Sequence, residues 1–163
     1  MPASPFAART GFDAVIALPF GPFGIRSAGE AVCELHFLPP NTALQAPDDD
    51  TTRAVAAALI DWIDDPRRPV TLPRVARGTS FQRRVWAEIS AIPSGQTRTY
   101  GELAARLGSA AQAVGQACGA NPYPLVVPCH RVTSARGLGG FANARDGWLL
   151  EVKRWLRQNE GAA

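Results

Sequence analysis

The sequence predicts a chain of two parts: an α/β unit in the first half and a mainly helical unit with a helix-turn-helix in the second. The first half places strand-like segments before one amphipathic helix, and the second half has several segments with apolar residues at helical spacing. The charge also changes sign. Residues 1–73 carry five arginines and nine carboxylates, a net charge of −4, whereas residues 74–163 carry eleven arginines, one lysine and five carboxylates, a net charge of +7. We therefore predict domains over 1–75 and 76–163.

The first unit is predicted from alternation and turn residues. Segment 14–18 and the alternating segment 32–38 are expected to be strands, and Ile25 begins or ends another. The glycines and prolines of PFGPFG predict a turn between them. A helix is expected from about residue 51, capped by Asp50 or Thr51. Its apolar residues at helical spacing are Val55, Leu59, Trp62 and Ile63.

The second unit is predicted to contain a helix-turn-helix. A first helix carries Phe81, Val85, Trp86 and Ile89 on one face. Thr99 and Glu102 form a capping box, and Gly108 ends the helix that they begin. A short turn then leads to AQAVGQACGA, a helix of small residues. Such a helix can approach a DNA groove closely but offers few side chains that read bases. The same composition also suits a helix packed in a protein core, and the residues of this segment do not decide between these two roles.

Several classes of protein are excluded by composition. No apolar run approaches the roughly 18 residues that cross a bilayer, and no signal pattern is present, so we expect a cytoplasmic protein. Three cysteines without a CxxC spacing argue against a disulfide framework and a zinc ribbon. Cys33 and His36 would supply only part of a closed zinc site, so no metal or cofactor is expected. Residues 1–10 and the last few residues are expected to be loose.

The motif PCHRV places Cys129 beside His130, after an apolar run at 125–127 that predicts a buried strand. Each residue alone is more often inert and buried. Together they suit a thiolate nucleophile and a base, which could act through a water. A carboxylate would be needed to orient the imidazole, and spacing does not choose among the acidic residues of the second half. These are Glu88, Glu102, Asp146, Glu151 and Glu160.

Residues 79–161 resemble the catalytic domain of the O6-alkylguanine-DNA alkyltransferases, the methylated-DNA–protein-cysteine methyltransferases. The similar segments, in the family's order, are GTSFQRRVW, IPSGQTRTYGELA, AVGQACGANP, VVPCHRV, GLGGF and EVKRWLRQNEG. The first half resembles the family's N-terminal domain more weakly. The resemblance implies a ribonuclease-H-like α/β domain followed by a winged-helix-like domain. It also implies a monomer that takes the alkyl group of O6-alkylguanine in double-stranded DNA irreversibly onto Cys129.

The resemblance also implies roles for individual residues. His130, through a water, would help to form the thiolate, and Glu160 would hold His130. Tyr100 would help to turn the nucleotide out and could protonate the leaving guanine, while the helix-turn-helix would enter the minor groove. Asn121 would fix the turn after the second helix, Lys153 would brace the active-site loop, and the carbonyls of Cys129 and Val132 would accept the guanine amine. The other residues expected at substrate or DNA are Gln112, Ala113, Gly115, Cys118, Arg131, Phe141 and Ala142.

Two features depart from the family's pattern. Gln112 stands where an arginine usually fills the gap left by the flipped base. The loop over 141–152 is longer than usual, although Trp148 would also suit the last helix.

Three alternatives remain beside alkyl transfer. One is a lesion-binding protein without transfer, against which Cys129 argues. The others are a small-molecule cysteine hydrolase, which leaves the basic half unexplained, and a sequence-specific transcription factor, for which the second helix has too few base-reading side chains.

Overall fold

The first unit is an antiparallel sheet covered by one helix. The computed structural model describes residues 11–161, so the termini expected to be loose lie outside the described residues. Strands β1 (Ala14–Leu18), β2 (Gly21–Ala28) and β3 (Ala31–Phe37) pair in chain order. β2 begins inside the segment predicted as a turn, because only Pro19 and Phe20 separate it from β1.

Helix α1 (Asp50–Asp64) packs on this sheet through the apolar face predicted from its sequence. Val55, Leu59, Trp62 and Ile63 are all buried, and each such side chain contributes about 1.5–3 kcal/mol when fully buried. The cap lies one residue earlier than predicted. Asp49 is extended, and its Oδ1 accepts a hydrogen bond from the Thr52 amide at 2.7 Å.

The second unit contains helices α2 (Ser80–Ser90), α3 (Tyr100–Leu107), α4 (Ala111–Gly119) and α5 (Trp148–Asn159). Thr99 and Glu102 form the predicted capping box of α3, and Gly108 ends that helix in the left-handed conformation. Helices α3 and α4 form the predicted helix-turn-helix. One face of α4 buries Val114 and Ala117, whereas Gln112 and Gln116 are exposed. The helix therefore serves the core on one side and leaves the other side open.

The apolar run before Cys129 is not a strand, contrary to the prediction. Pro122, Pro124 and Pro128 interrupt the segment, and proline cannot donate to a β-ladder. The chain instead forms a tight turn in which Leu125 has a φ of +76°. Cys129–Arg131 then forms a 3-10 turn. After it, β5 (Val132–Thr133) pairs in parallel with β4 (Arg98–Thr99).

The two units share one hydrophobic core. The Tyr123 hydroxyl donates to the carbonyls of Val32 and Val75, and the Leu35 amide donates to the Pro122 carbonyl at 2.9 Å. β3 therefore lies directly behind the segment that carries Cys129. The division at residue 75 stays a prediction. Each helix in residues 11–161 is too short or too polar to span a membrane.

Candidate active site

Cys129 lies in a cavity of about 590 Å³ whose walls come from both units. Helix α4 forms one wall, the loop after β5 forms another, and β3 forms a third through Leu35, His36 and Phe37. Of the residues expected at the site, eight line the cavity: Tyr100, Gln112, Gly115, Cys118, Asn121, Cys129, Phe141 and Ala142. Six lie outside its lining: Ala113, His130, Arg131, Val132, Lys153 and Glu160.

The Cys129 thiol is 7% exposed and has two hydrogen-bond partners in the turn around it. The Asn121 side-chain amide donates to Sγ at 3.3 Å, and Sγ approaches the Cys118 carbonyl at 3.7 Å. Asn121 also donates to the Val127 carbonyl at 2.9 Å, so it fastens the turn on which the thiol sits. The neighbouring Cys118 thiol, together with burial, raises the pKa of Cys129 well above its usual value. The resting side chain is therefore a thiol, and a base is needed to activate it.

His130 is buried and held by Glu160. Its Nε2 lies 2.6 Å from Glu160 Oε1. A carboxylate only accepts hydrogen bonds, so Nε2 carries the proton and Nδ1 is the basic nitrogen of the neutral ring. Burial lowers the pKa of His130, although Glu160 acts in the opposite direction. The lowered pKa keeps the ring neutral. In the described part of the chain no direct hydrogen bond joins this ring to the Cys129 thiol, and Trp62 packs edge-on against it at 5.9 Å.

Arg131, expected at substrate or DNA, instead belongs to the buried network behind the cavity. Its Nη2 lies 2.8 Å from Glu160 Oε1 and its Nε lies 3.0 Å from Oε2. Its Nη1 donates to the Ile92 carbonyl at 2.7 Å. The residue is only 8% exposed, so its guanidinium cannot reach a phosphate. Burial alone would raise the pKa of Glu160, but the hydrogen bonds from His130 and Arg131 outweigh it and lower the pKa to about 2.

The loop after β5 is held from inside by Lys153. The fully buried Nζ donates to the carbonyls of Leu138 at 2.7 Å and Gly140 at 2.8 Å. The Tyr100 hydroxyl donates to the same Gly140 carbonyl at 3.1 Å. Burial lowers the pKa of Lys153 to about 8. The remaining positive charge acts on Cys129, whose pKa it lowers.

Replacing Lys153 with methionine is expected to slow the chemistry of Cys129 by about tenfold or more and to destabilise the fold. The Leu138 carbonyl loses its donor, at about 1–3 kcal/mol for a group left buried without a partner, whereas the Gly140 carbonyl keeps the Tyr100 hydroxyl. The thiolate also loses a nearby cation. The folded pKa of about 8 lies below the ordinary 10.5. Wild-type stability should therefore rise as pH increases between these values, and the variant should lack this rise. Denaturant unfolding across that pH range checks this, with the exposed Arg154→Met as control; equal pH dependence in both variants would contradict it.

The loop that was expected over 141–152 ends at residue 147, because Trp148 begins α5. Phe141 and Ala144 exchange two backbone hydrogen bonds of 2.8 Å around Ala142 and Asn143, which have φ values of +50° and +67°. The Asn143 side-chain amide donates to the Gly119 carbonyl at 3.1 Å, which ties the loop to the end of α4. Sequence reasoning missed this tie, although asparagine next to a small residue is a known signal for a left-handed turn.

The contact of Asn143 with α4 requires glycine at position 119. A Cβ there would lie 1.9 Å from Asn143 Oδ1, whereas a Cβ at Gly115 would meet nothing within 4 Å. Gly115→Ala should therefore stabilise the helix by about 0.5–1 kcal/mol. Gly119→Ala should release Asn143 and increase hydrogen exchange in the loop at 140–147. Thermal unfolding and hydrogen exchange of the two variants measure this, and equal loop protection in both would show that the tie is unimportant.

Val132 and the candidate metal ligand Cys33 lie apart from the cavity, whereas the other candidate ligand, His36, lines it. Val132 is fully buried and pairs with Arg98, and its amide donates to the Cys129 carbonyl. His36 pairs with Glu34, while Cys33 is buried in the core. Across residues 11–161, His, Cys, Asp and Glu side chains form no group of three or more that could hold a metal ion.

Comparisons with known proteins point to one family. Residues 80–162 match the family described as 6-O-methylguanine DNA methyltransferase, DNA binding domain. A methylated-DNA–protein-cysteine methyltransferase of Salmonella typhimurium is 50% identical over 94 residues, which are 56% of this chain and 52% of that protein. The match thus spans about half the length of that relative. One of Methanosarcina acetivorans is 32% identical over 93% of this chain and 99% of its own length.

Solved structures agree with these matches. The crystal structure of the Mycobacterium tuberculosis O6-methylguanine methyltransferase has a TM-score of 0.75 at 34% identity and covers 90% of both chains. A structure of the Mycobacterium tuberculosis protein in complex with DNA has a TM-score of 0.73 at 34% identity, again over 90% of both chains.

Proposed function

The chain belongs to the 6-O-methylguanine DNA methyltransferase family, and from this premise we propose that it repairs DNA by direct reversal. The Cys129 thiolate attacks the alkyl carbon of O6-alkylguanine. The carbon–oxygen bond breaks as the sulfur–carbon bond forms, and guanine is restored. The thioether is stable, so each molecule acts once and needs no cofactor. The observation that carries the proposal is the Cys129 thiol inside the cavity, with the buried His130–Glu160 pair behind it.

Activation of the thiol starts at His130. Nδ1 takes the thiol proton through a water, and the Glu160 carboxylate at 2.6 Å stabilises the resulting imidazolium. Arg131 keeps that carboxylate ionised and fixed. The Asn121 amide and the Lys153 cation then stabilise the thiolate.

Tyr100 is proposed to serve the leaving group. Its ring lines the cavity beside the loop after β5, and its hydroxyl donates to the Gly140 carbonyl. Burial raises the pKa of Tyr100, so the hydroxyl stays protonated and can donate to the departing guanine. We also propose, from the family resemblance, that this ring helps to turn the nucleotide out of the helix.

The proposed partner is double-stranded DNA, approached from the minor groove by α4. Supporting this, the exposed face of α4 presents Gln112 and Gln116 beside the cavity. The second half of the chain also has a net charge of +7, which favours phosphate contact. A paired base hides its O6 atom, so the lesion must leave the stack to reach Cys129. A monomer is proposed on the resemblance alone, and the cytoplasmic location stays a prediction from the sequence.

The detailed fold classes are also proposals. A ribonuclease-H-like domain over 1–75 is supported by three antiparallel strands followed by a helix. A winged-helix-like domain over 76–163 is supported by α3 and α4 followed by the parallel pair of β4 and β5.

Gln112→Arg is expected to speed repair and tighten lesion binding. Gln112 is exposed at the start of α4 and lines the cavity, where a longer cationic side chain would fill the space left by the extruded base. One added charge–base contact is worth about 1 kcal/mol, or about fivefold in rate or affinity. Single-turnover repair and binding assays measure both quantities. If Gln112→Arg and Gln116→Arg have the same effect, general charge rather than position accounts for it.

The proposed function is tested by incubating the protein with a duplex that contains one O6-methylguanine in a methylation-sensitive restriction site. Cleavage should return in proportion to the protein added and then stop. Lesion binding without restored cleavage would support a damage-flagging protein. Continued turnover of small thioesters without DNA would support a hydrolase.

A further inference from the structure

A second thiol shares the cavity with the acceptor cysteine. Cys118 lies near the C-terminal end of α4, and Cys129 lies in the 3-10 turn that follows the proline-rich segment. Both residues line the cavity, and both are free thiols. Sγ of Cys129 lies 3.7 Å from the Cys118 carbonyl, to which it donates, so the acceptor thiol lies against the residue that carries the second thiol. The alkyl-transfer mechanism leaves Cys118 without a chemical task.

We propose that Cys118 and Cys129 form a reversible disulfide when the unspent protein meets a peroxide. Hydrogen peroxide oxidises one thiol to a sulfenic acid and releases one water. The second thiol attacks that sulfur, the sulfur–oxygen bond breaks, and a second water leaves. In sum, two thiols lose two electrons and two protons, and one peroxide becomes two waters. A dithiol reductant reverses the cross-link by exchange.

The geometry suits this reaction. A disulfide needs a sulfur–sulfur distance of about 2.05 Å. The sulfur of Cys129 already lies against the Cys118 backbone carbonyl, so side-chain rotation and small backbone shifts bring the two sulfurs together. Cys118 is half-buried on the cavity wall, so peroxide can reach the pair through the opening that admits a base. Asn121 holds the sulfur of Cys129 on the side of Cys118. Cys33, by contrast, is buried in β3 and does not line the cavity.

The cross-link would protect the protein. A lone Cys129 that reaches the sulfenic acid can be oxidised further to the sulfinic acid, which reductants do not restore. Capture by Cys118 stops that progression and keeps the acceptor recoverable. Because one sulfur cannot be both alkylated and cross-linked, only unspent molecules can form the disulfide. The protective meaning rests on the proposed alkyl transfer, whereas formation of the disulfide does not depend on it.

The test uses the reduced full-length protein without DNA. It is treated with a small excess of hydrogen peroxide, blocked with a maleimide and measured by intact-protein and peptide mass spectrometry. The expected result is the loss of two hydrogens, two fewer maleimide additions and a peptide linked between Cys118 and Cys129. Dithiothreitol should restore both thiols. Cys33→Ser should behave like wild type, whereas Cys118→Ser should show no linked peptide and should gain two oxygens on Cys129.

Three results would overturn the proposal: both thiols remaining free, a link that includes Cys33, or sulfinic acid forming on Cys129 equally fast in wild type and Cys118→Ser. Repair is measured separately for each protein before peroxide, after peroxide and after reductant. A protein that forms the disulfide but never repairs DNA would refute the proposed function alone. A protein that repairs DNA but forms no disulfide would refute this inference alone.

Discussion

Replacing Cys129 with alanine is expected to abolish alkyl transfer while the protein keeps its fold and its affinity for lesion DNA. The substitution removes one buried sulfur, which costs about 1 kcal/mol. The Asn121 amide loses the sulfur as a partner but keeps its hydrogen bond to the Val127 carbonyl at 2.9 Å, and its other N–H faces the cavity, where water can accept from it. Single-turnover repair and lesion binding of the same preparation test the two halves of this expectation.

The matched control is Cys33→Ala, which removes a thiol that does not line the cavity. It should retain repair. Residual transfer by Cys129→Ala would contradict the assignment and would direct attention to Cys118, the other thiol of the cavity. Loss of lesion binding together with transfer would instead show that the thiol is needed to shape the cavity.

Replacing Glu160 with glutamine should reduce both stability and rate. Its carboxylate accepts three hydrogen bonds from the guanidinium of Arg131, at 2.8, 3.0 and 3.1 Å, beside the one shared with His130. Without the negative charge, a buried guanidinium is left unpaired, at a cost of about 3–5 kcal/mol. The imidazolium also loses its stabilising anion, so transfer should slow by about 10²-fold or more.

The acid dependence of stability gives a sharper test of the same residue. The folded pKa of about 2 lies below the ordinary 4.5, so protons bind the unfolded chain first as pH falls. The stabilisation, about 3 kcal/mol from this difference, is complete above about pH 5 and is lost as pH falls towards 2. Glu160→Gln should flatten this part of the stability curve. Glu151→Gln, an exposed carboxylate on α5, should leave it unchanged; a curve for Glu160→Gln that matches wild type would refute the network.

Local signals predicted much of the fold. The apolar faces of α1 and α2 and the capping box at Thr99 depend on residues three or four positions apart, and these appear in the structure where the sequence places them. The prediction of a strand before Cys129 was wrong because it gave more weight to the apolar run than to the prolines around it. A run of Leu and Val suits a strand, but Pro124 and Pro128 remove the donors that a ladder needs.

Long-range features of the site could not be predicted. β3 has clear strand alternation, yet nothing local shows that Phe37 would meet Phe141 at 5.1 Å and form a cavity wall. Arg131 illustrates a different difficulty. An arginine in a basic half suggests DNA, but its position beside His130 also brings it to Glu160, and only the folded chain shows that it is buried.

Locating the alkyl group after repair tests whether Cys129 is its acceptor. The wild-type protein is mixed with a limiting duplex that contains one O6-methylguanine, and its peptides are then measured by mass spectrometry. We predict one methyl group on the Cys129 peptide for each guanine restored, and none on the Cys118 or Cys33 peptides. Restored guanine with no methyl on Cys129, or a methyl group on another residue, would contradict the proposed mechanism.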